Sequence, residues 1–188
     1  MSLSYYTKEI VGELRTALSH VDDRAGDALA EATLQADRVF VCGAGRSLLM
    51  IRTLAMRLMQ LGKPAYVVGE TVTPAIRQGD LLVVGSGSGE TAALALMAKK
   101  AKSLGAELAL ITILPDSTIG KLADHVIAVD APSSKLKENG GRTSVQPGGS
   151  LFEQSLLLLC DGLVLELAER MSLNDVNKVL MQNHANLE

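Results

Sequence analysis

Apolar residues recur with the period of an α-helix along the first 36 residues of the chain. The repeating positions are Ile10, Leu14, Leu18 and Val21, followed by Ala25, Leu29 and Leu34, and all but the last step span three or four residues. A stripe with this period predicts helices that bury one face. Asp22-Asp23 interrupts the stripe, so residues 4–36 form either one helix or two that divide at this break.

Short runs of consecutive apolar residues then alternate with helical segments. The runs are residues 39–42, 65–68, 81–84, 108–113 and 126–129, and a short helix is expected over 117–123, before the last of them. Unbroken apolar runs are typical of strands buried on both faces, as in a parallel sheet covered by helices. Strands alternating with helices predict right-handed crossovers. We therefore expect an α/β fold, a three-layer sandwich in which helices flank a five-stranded parallel sheet of the flavodoxin or Rossmann-like type.

The pattern changes after residue 130. Residues 131–149 are polar and contain glycine, which predicts a long loop, and they include three basic residues that are solvated or close over a substrate: Lys135, Lys137 and Arg142. A strongly apolar helix is expected from 150 to about 170, followed by a short polar helix. We expect a single domain over 1–188, divided into a helical segment (1–36), a sheet core (37–130), a loop (131–149) and C-terminal helices with a tail (150–188).

Two similar glycine-rich turns follow the first and third predicted strands. GAGRS occupies residues 43–47 and GSGSGET occupies residues 85–91. Each turn leads into a predicted helix, and each helix leads through Leu-Gly to another strand. Ligands of open α/β sheets bind at the carboxyl ends of the strands. This weak internal repeat therefore predicts that the two turns share one binding site.

The second turn has the composition of an anion site. A helix start offers unpaired N–H groups and a positive dipole end, glycines let the backbone approach a ligand, and hydroxyl groups add donors. Ser86, Ser88 and Thr91 are the candidate phosphate ligands. Alternatively, Ser88 is an N-cap and the glycines only permit a tight turn. The first turn favours the ligand interpretation.

These motifs resemble those of the sugar isomerase (SIS) domain family, in which turns at the positions of GAGRS and SGSGET bind a sugar phosphate. Within that family the chain is similar to the 6-phospho-3-hexuloisomerases. The further matching segments are PGGSLFE at 147–153, the helix QSLLLLCDGLVLEL and the final HANLE. One departure is Asn183, at a position where arginine is expected.

The resemblance implies a cytoplasmic isomerase of the ribulose monophosphate pathway, which serves formaldehyde fixation or detoxification. Its reaction would interconvert D-arabino-3-hexulose 6-phosphate and D-fructose 6-phosphate. The resemblance also implies a homotetramer with sites near subunit interfaces, a sugar phosphate as ligand, and neither metal nor organic cofactor. By the same resemblance Ser47 joins the phosphate ligands, and Gly45, Arg46 and Gly87 contact the substrate. Alternatively, Arg46 is a solvated arginine at a helix start.

Moving a carbonyl from C3 to C2 requires a proton to leave C2 and one to reach C3 through a cis-enediol, and one carboxylate can do both. Glu153, which follows a glycine-rich stretch at a helix start, is our candidate base. Alternatively, Ser150-x-x-Glu153 is only a capping box. Histidine suits proton transfer between sugar oxygens near neutral pH. We expect His184 to reach a site, that of a neighbouring subunit, unless Leu187 merely docks the tail and leaves the histidine exposed.

Composition argues against several other classes of protein. The net charge of −3 and the lack of a basic run disfavour nucleic acid as a partner. No apolar run reaches the roughly 18 residues of a membrane span. Cys42 and Cys160 lie in apolar segments and are expected to be buried thiols. The three histidines are scattered, which disfavours a metal site.

Three alternative functions remain open from the sequence. One is an SIS isomerase acting on another phosphosugar. Another is a non-catalytic sugar-phosphate sensor, although residues 1–36 are short and acidic for the DNA-binding region that such sensors carry. The third is a nicotinamide-dependent oxidoreductase, for which Leu48 stands where the dinucleotide motif needs its third glycine.

Overall fold

The structure, a computed structural model, describes residues 1–133 and 143–187. Lys135, Lys137, Arg142 and the final Glu188 lie outside the described residues. The helices are α1 Leu3–Leu18, α2 Asp23–Gln35, α3 Gly45–Gln60, α4 Ala92–Ser103, α5 Ser150–Arg170 and α6 Val176–Gln182. The strands are β1 Val39–Gly43, β2 Ala65–Val67, β3 Leu81–Gly85, β4 Glu107–Thr112 and β5 His125–Ala128.

The five strands form one parallel sheet in the order β2-β1-β3-β4-β5. Successive residues of a strand point to opposite faces, and both faces are covered. Val39 and Val41 of β1 pack on one side with α2, α3 and α5, together with Ala17 of α1. Phe40 and Cys42 pack on the other side with α4. The expected three-layer α/β sandwich is confirmed.

The predicted break near residue 22 has a local cause. The Asp22 carboxylate accepts a hydrogen bond from the backbone N–H of Arg24 at 3.0 Å and caps the start of α2. The prediction of a short helix over 117–123 is wrong in its extent. Only Gly120–Leu122 is helical, and it forms a single 3-10 turn. There the chain folds so tightly that a Cβ on Gly120 would lie 1.9 Å from the carbonyl oxygen of Pro115.

Both cysteines are buried, as expected. Burial raises the pKa of each thiol to about 12, and for Cys160 the nearby Asp161 adds to the effect. The thiols are therefore protonated at neutral pH. None of the helices in the described ranges is both long enough and apolar enough to cross a membrane.

Candidate active site

The two glycine-rich turns meet at the carboxyl edge of the sheet. Gly43 at the end of β1 and Gly85 at the end of β3 are Cα partners on adjacent strands. A cavity of about 420 Å³ lies at this edge, between both turns and the first turn of α5. Its lining includes eight of the nine predicted site residues: Gly45, Arg46, Ser47, Ser86, Gly87, Ser88, Thr91 and Glu153.

Size alone does not identify this cavity as the site. A groove of about 440 Å³ lies beside the edge strand β2, but its lining is largely apolar, with the ion pair of Arg52 and Glu70 among its polar groups. The cavity between the turns instead combines hydroxyl groups, two helix starts and a carboxylate. We therefore assign the candidate site to the cavity between the turns, on the basis of these groups.

The first turn exposes the start of α3 to the cavity. Gly45 has a φ of +56°, in the left-handed region that favours glycine, and it is the first residue of the helix. The N-cap is Ala44, whose side chain cannot cap the helix. Within the described ranges no side chain accepts from the first N–H groups of α3, which are therefore available to an anion beside Ser47.

The second turn holds its serines by backbone hydrogen bonds. Ser86 Oγ accepts from Gly89 N and Ser88 Oγ accepts from Glu90 N, each at 3.2 Å. A hydroxyl that accepts in this way still has its own hydrogen to donate. The alternative of Ser88 as an N-cap is wrong, because α4 begins at Ala92 and Thr91 is its N-cap. The Thr91 side chain makes no capping bond, so its hydroxyl is not used by the helix.

A neighbouring loop supports the second turn, and sequence reasoning missed it. Glu90 accepts hydrogen bonds from the Thr118 backbone and hydroxyl, both at 2.7 Å. These two bonds hold the pKa of Glu90 below its ordinary value. Thr112 Oγ1 donates to the carbonyl oxygen of Gly87 at 3.1 Å. Glu90, although part of the motif, thus fixes the turn from outside the cavity.

Glu153 is paired with Arg46 across the cavity. Arg46 Nε donates to Glu153 Oε2 at 2.6 Å, joining α3 to α5. The Glu153 side chain is only 8% exposed, whereas that of Arg46 is 55% exposed. The capping-box alternative is wrong, because the N-cap of α5 is Gly149 and no side chain caps it. Arg46 does lie at a helix start with more than half of its side chain exposed, but it is also ion-paired with Glu153.

A second missed residue, Glu13 of α1, anchors the chain that leads into α5. Its carboxylate accepts three hydrogen bonds: from Ser144 Oγ at 2.7 Å, Val145 N at 2.8 Å and Gln146 Nε2 at 3.0 Å. Two residues beyond Gln146, the Gly148 carbonyl accepts from Ser133 Oγ at 3.2 Å. The stretch just before Glu153 is therefore held from α1 and from the end of the sheet.

His184 does not lie in this cavity. It follows α6, and the adjacent Asn183 side chain donates to the carbonyl oxygen of Gln60 at 3.0 Å. Gln60 ends α3 and Arg46 is near its start, so at about 1.5 Å per residue the two are about 21 Å apart along the helix. The one described side-chain hydrogen bond of His184 is to Ala185 O. Within one chain, His184 and Glu153 lie at opposite ends of the fold.

The described residues contain no group of three or more His, Cys, Asp or Glu side chains placed to hold a metal ion. The polar groups that do converge on the cavity are hydroxyls, backbone N–H groups and the Arg46–Glu153 pair. This set can bind an anion and can accept a proton from a bound ligand.

Comparison with known proteins gives a consistent picture. The SIS domain family matches residues 34–157. The chain is 44% identical to the 3-hexulose-6-phosphate isomerase of Bacillus subtilis (strain 168) over the whole of both chains. It is 41% identical to the enzyme of the same name from Mycobacterium gastri, covering 94% of this chain and 86% of that one. A hypothetical protein of Methanococcus jannaschii, whose crystal structure led to an inferred 3-hexulose-6-phosphate isomerase function, has a TM-score of 0.80 at 31% identity, covering 97% of this chain and 96% of that one.

Proposed function

The chain belongs to the SIS domain family, and we propose that it is an isomerase that interconverts D-arabino-3-hexulose 6-phosphate and D-fructose 6-phosphate. The observation that carries the proposal is the buried carboxylate of Glu153 in the same cavity as two hydroxyl-bearing helix starts. The names of the relatives at 44% and 41% identity support this choice of substrate. A place in the ribulose monophosphate pathway and in the cytoplasm follows as part of the proposal.

The phosphate binds at the second turn in this proposal. Ser86, Ser88 and Thr91 donate their hydroxyl hydrogens, and the start of α4 adds its N–H groups and positive dipole end. Ser47 and the start of α3 approach the same ligand from the first turn. Gly45 and Gly87 carry no side chains and let the sugar lie close to the backbone.

Glu153 then transfers the proton between two carbons. Its carboxylate takes the C2 proton while the O3 carbonyl oxygen gains a proton, which gives the cis-enediol. Glu153 returns its proton to C3 while the O2 hydroxyl loses one, which gives the ketone at C2. The proton balance is closed and no redox partner is needed. A positioned base of this kind contributes about 10²–10⁴-fold to the rate.

His184 moves the proton between the two sugar oxygens in this proposal, and it does so in the site of a neighbouring subunit. Its position at the far end of α3 from Glu153 favours a shared site over one within a single chain. The expected homotetramer, with sites near subunit interfaces, supplies the second chain.

A coupled assay tests the reaction. Hexulose 6-phosphate is generated enzymatically, and formation of fructose 6-phosphate is followed with and without the protein. We expect turnover with this substrate and none with D-arabinose 5-phosphate. Efficient turnover of arabinose 5-phosphate alone would contradict the proposal and assign a different phosphosugar.

Mixing two inactive variants tests the shared site. His184→Ala and Glu153→Gln are combined under conditions in which subunit exchange is confirmed by labelled chains. Hybrid oligomers should regain part of the activity, because one of their sites combines an intact Glu153 with an intact His184. Full activity of His184→Ala alone, or no recovery despite exchange, would contradict the shared-site role.

A further inference from the structure

Arg46 contacts the base and also lines the anion site. Its Nε donates to Glu153 Oε2, and its side chain borders the cavity together with Ser88 and Thr91. Among residues 1–133 and 143–187, none accepts a hydrogen bond from its two terminal nitrogens. The guanidinium group therefore has unused donors beside the turn where a phosphate is expected.

The two partners of this ion pair differ in their freedom to move. Glu153 is in the first turn of α5, and its neighbours Leu151, Phe152 and Leu156 are buried in the core. Arg46 is at the start of α3, and more than half of its side chain is exposed. When the pair opens, the arginine is the partner that moves.

The ion pair restrains the side chain of the proposed base. The guanidinium group donates to Oε2, so this carboxylate oxygen is not free to accept a proton from a bound ligand. A phosphate dianion carries more charge than a carboxylate and accepts two parallel hydrogen bonds from an arginine fork. It can therefore compete with the single Nε–Oε2 bond.

We propose that Arg46 is a latch released by the substrate's phosphate: it holds Glu153 in the empty site, and it turns to the phosphate when the second turn is occupied. This inference rests on the proposed function, because it requires Glu153 to be the base. Arg46 is then a specificity-determining residue. A sugar without a phosphate meets a restrained base, and a phosphorylated ketose frees it.

Crystal structures with and without inorganic phosphate test the release independently of the substrate's identity. With phosphate at residues 85–91, the Arg46 guanidinium should contact it, and the distance between Arg46 Nε and Glu153 Oε2 should exceed the roughly 3.2 Å of a hydrogen bond. Phosphate bound at the turn with the ion pair intact would overturn the latch. Phosphate that binds elsewhere would overturn it as well.

The effect of phosphate on the restrained base can be tested kinetically by supplying the sugar and a phosphate mimic as separate molecules. D-arabino-3-hexulose without its phosphate is offered alone and together with phosphite dianion. For the wild-type protein, phosphite should accelerate turnover roughly 10- to 100-fold, the range that corresponds to releasing one charge-assisted hydrogen bond. Arg46→Ala should turn over the unphosphorylated sugar faster than the wild type does, and phosphite should no longer accelerate it.

Arg52→Ala is the matched control, because Arg52 lies on the same helix and pairs with Glu70 outside the cavity. This variant should turn over the unphosphorylated sugar at the wild-type rate and respond to phosphite as the wild type does. Arg46→Lys keeps the positive charge but cannot form two parallel hydrogen bonds to a phosphate. It controls for misfolding of the alanine variant and should retain a reduced phosphite effect.

If Arg46→Ala loses the phosphite effect without faster turnover of the unphosphorylated sugar, Arg46 is only a phosphate ligand. If Arg46→Ala is slower but still activated, it only orients Glu153. Either result would overturn the latch.

The latch and the reaction fail in different ways. Absence of fructose 6-phosphate in the coupled assay would refute the proposed reaction, while the phosphate-bound structures would still report whether Arg46 leaves Glu153. Normal turnover together with an unmoved Arg46 would refute the latch alone.

Discussion

Gly43 and Gly85 are neighbours across two parallel strands, and a Cβ at either position would lie unusually close to its neighbours. A Cβ on Gly43 would lie 3.0 Å from Leu48 N and 3.2 Å from Gly85 O. A Cβ on Gly85 would lie 2.7 Å from a methyl carbon of Leu156. The missing side chains let α3 and α5 close over the ends of β1 and β3, and this approach creates the cavity.

Gly43→Ala should therefore disturb the first turn. The new methyl group meets backbone atoms, which must shift, so we expect a loss of roughly 1–3 kcal/mol in the free energy of unfolding and weaker binding of inorganic phosphate. Gly26→Ala in α2 is the control, because nothing lies within 4 Å of its Cβ position. Urea unfolding and phosphate titration measure both effects. Equal stability and phosphate affinity in the two variants would contradict this account of the turn.

Ser88→Ala and Thr91→Ala should each weaken the binding of phosphate and substrate. Each variant removes a hydroxyl donor next to a charged group, which corresponds to roughly 1–3 kcal/mol. Ser103→Ala at the other end of α4 is the control, since its hydroxyl donates to Lys100 O of the same helix, far from the second turn. Unchanged KM and unchanged inhibition by inorganic phosphate in both turn variants would remove these residues from the phosphate site.

Glu13 should make the stability of the protein depend on pH. Burial acts to raise the pKa of Glu13, but the hydrogen bonds from Gln146, Ser144 and Val145 outweigh it and hold the pKa below its ordinary value. A carboxyl with a lowered folded pKa stabilises the fold above its ordinary pKa of about 4.3, and that contribution is lost as the pH falls through the folded value. The stabilisation is therefore complete at neutral pH.

Glu13→Gln is expected to lower the free energy of unfolding by roughly 1–3 kcal/mol at pH 7, because a charged acceptor of three donors is replaced by an amide. The difference from the wild type should stay constant down to about pH 5 and narrow below it. Urea unfolding across this range is the measurement. Glu9→Gln, one turn earlier on α1, is the control. If the difference in the free energy of unfolding between Glu13→Gln and the wild type grew as the pH fell, it would contradict the lowered pKa of Glu13.

The sequence predicts the sheet well because strands that are buried on both faces appear in it as runs of consecutive apolar residues. Adjacent residues such as Val41 and Cys42 enter the two cores on opposite faces of the sheet, so apolar runs without alternation identify the strands. Boundaries shift where tertiary contacts decide. Residues 117–123 are predicted to be helical, but the chain folds back there, with Gly120 close to Pro115, and only a single 3-10 turn forms.

The sequence predicts which residues line the site, but not how they are paired. Arg46 and Glu153 are 107 positions apart, and no local pattern encodes a contact over that distance. Glu13 contacts Ser144 from 131 positions away; its only local sign was a carboxylate on a half-buried helix. The position of His184 likewise follows from the contact between Asn183 and Gln60, which composition does not reveal.

Turnover of Glu153→Gln is the measurement that tests the central claim most directly. The substitution keeps the size of the side chain and removes its ability to take a proton from carbon. In D₂O, with fructose 6-phosphate formation followed by the coupled assay, kcat should fall by about 10²–10⁴-fold, and deuterium incorporation into the product should fall with it, while the variant remains folded. Near-normal kcat and normal deuterium incorporation would show that Glu153 is not the base and would contradict the account.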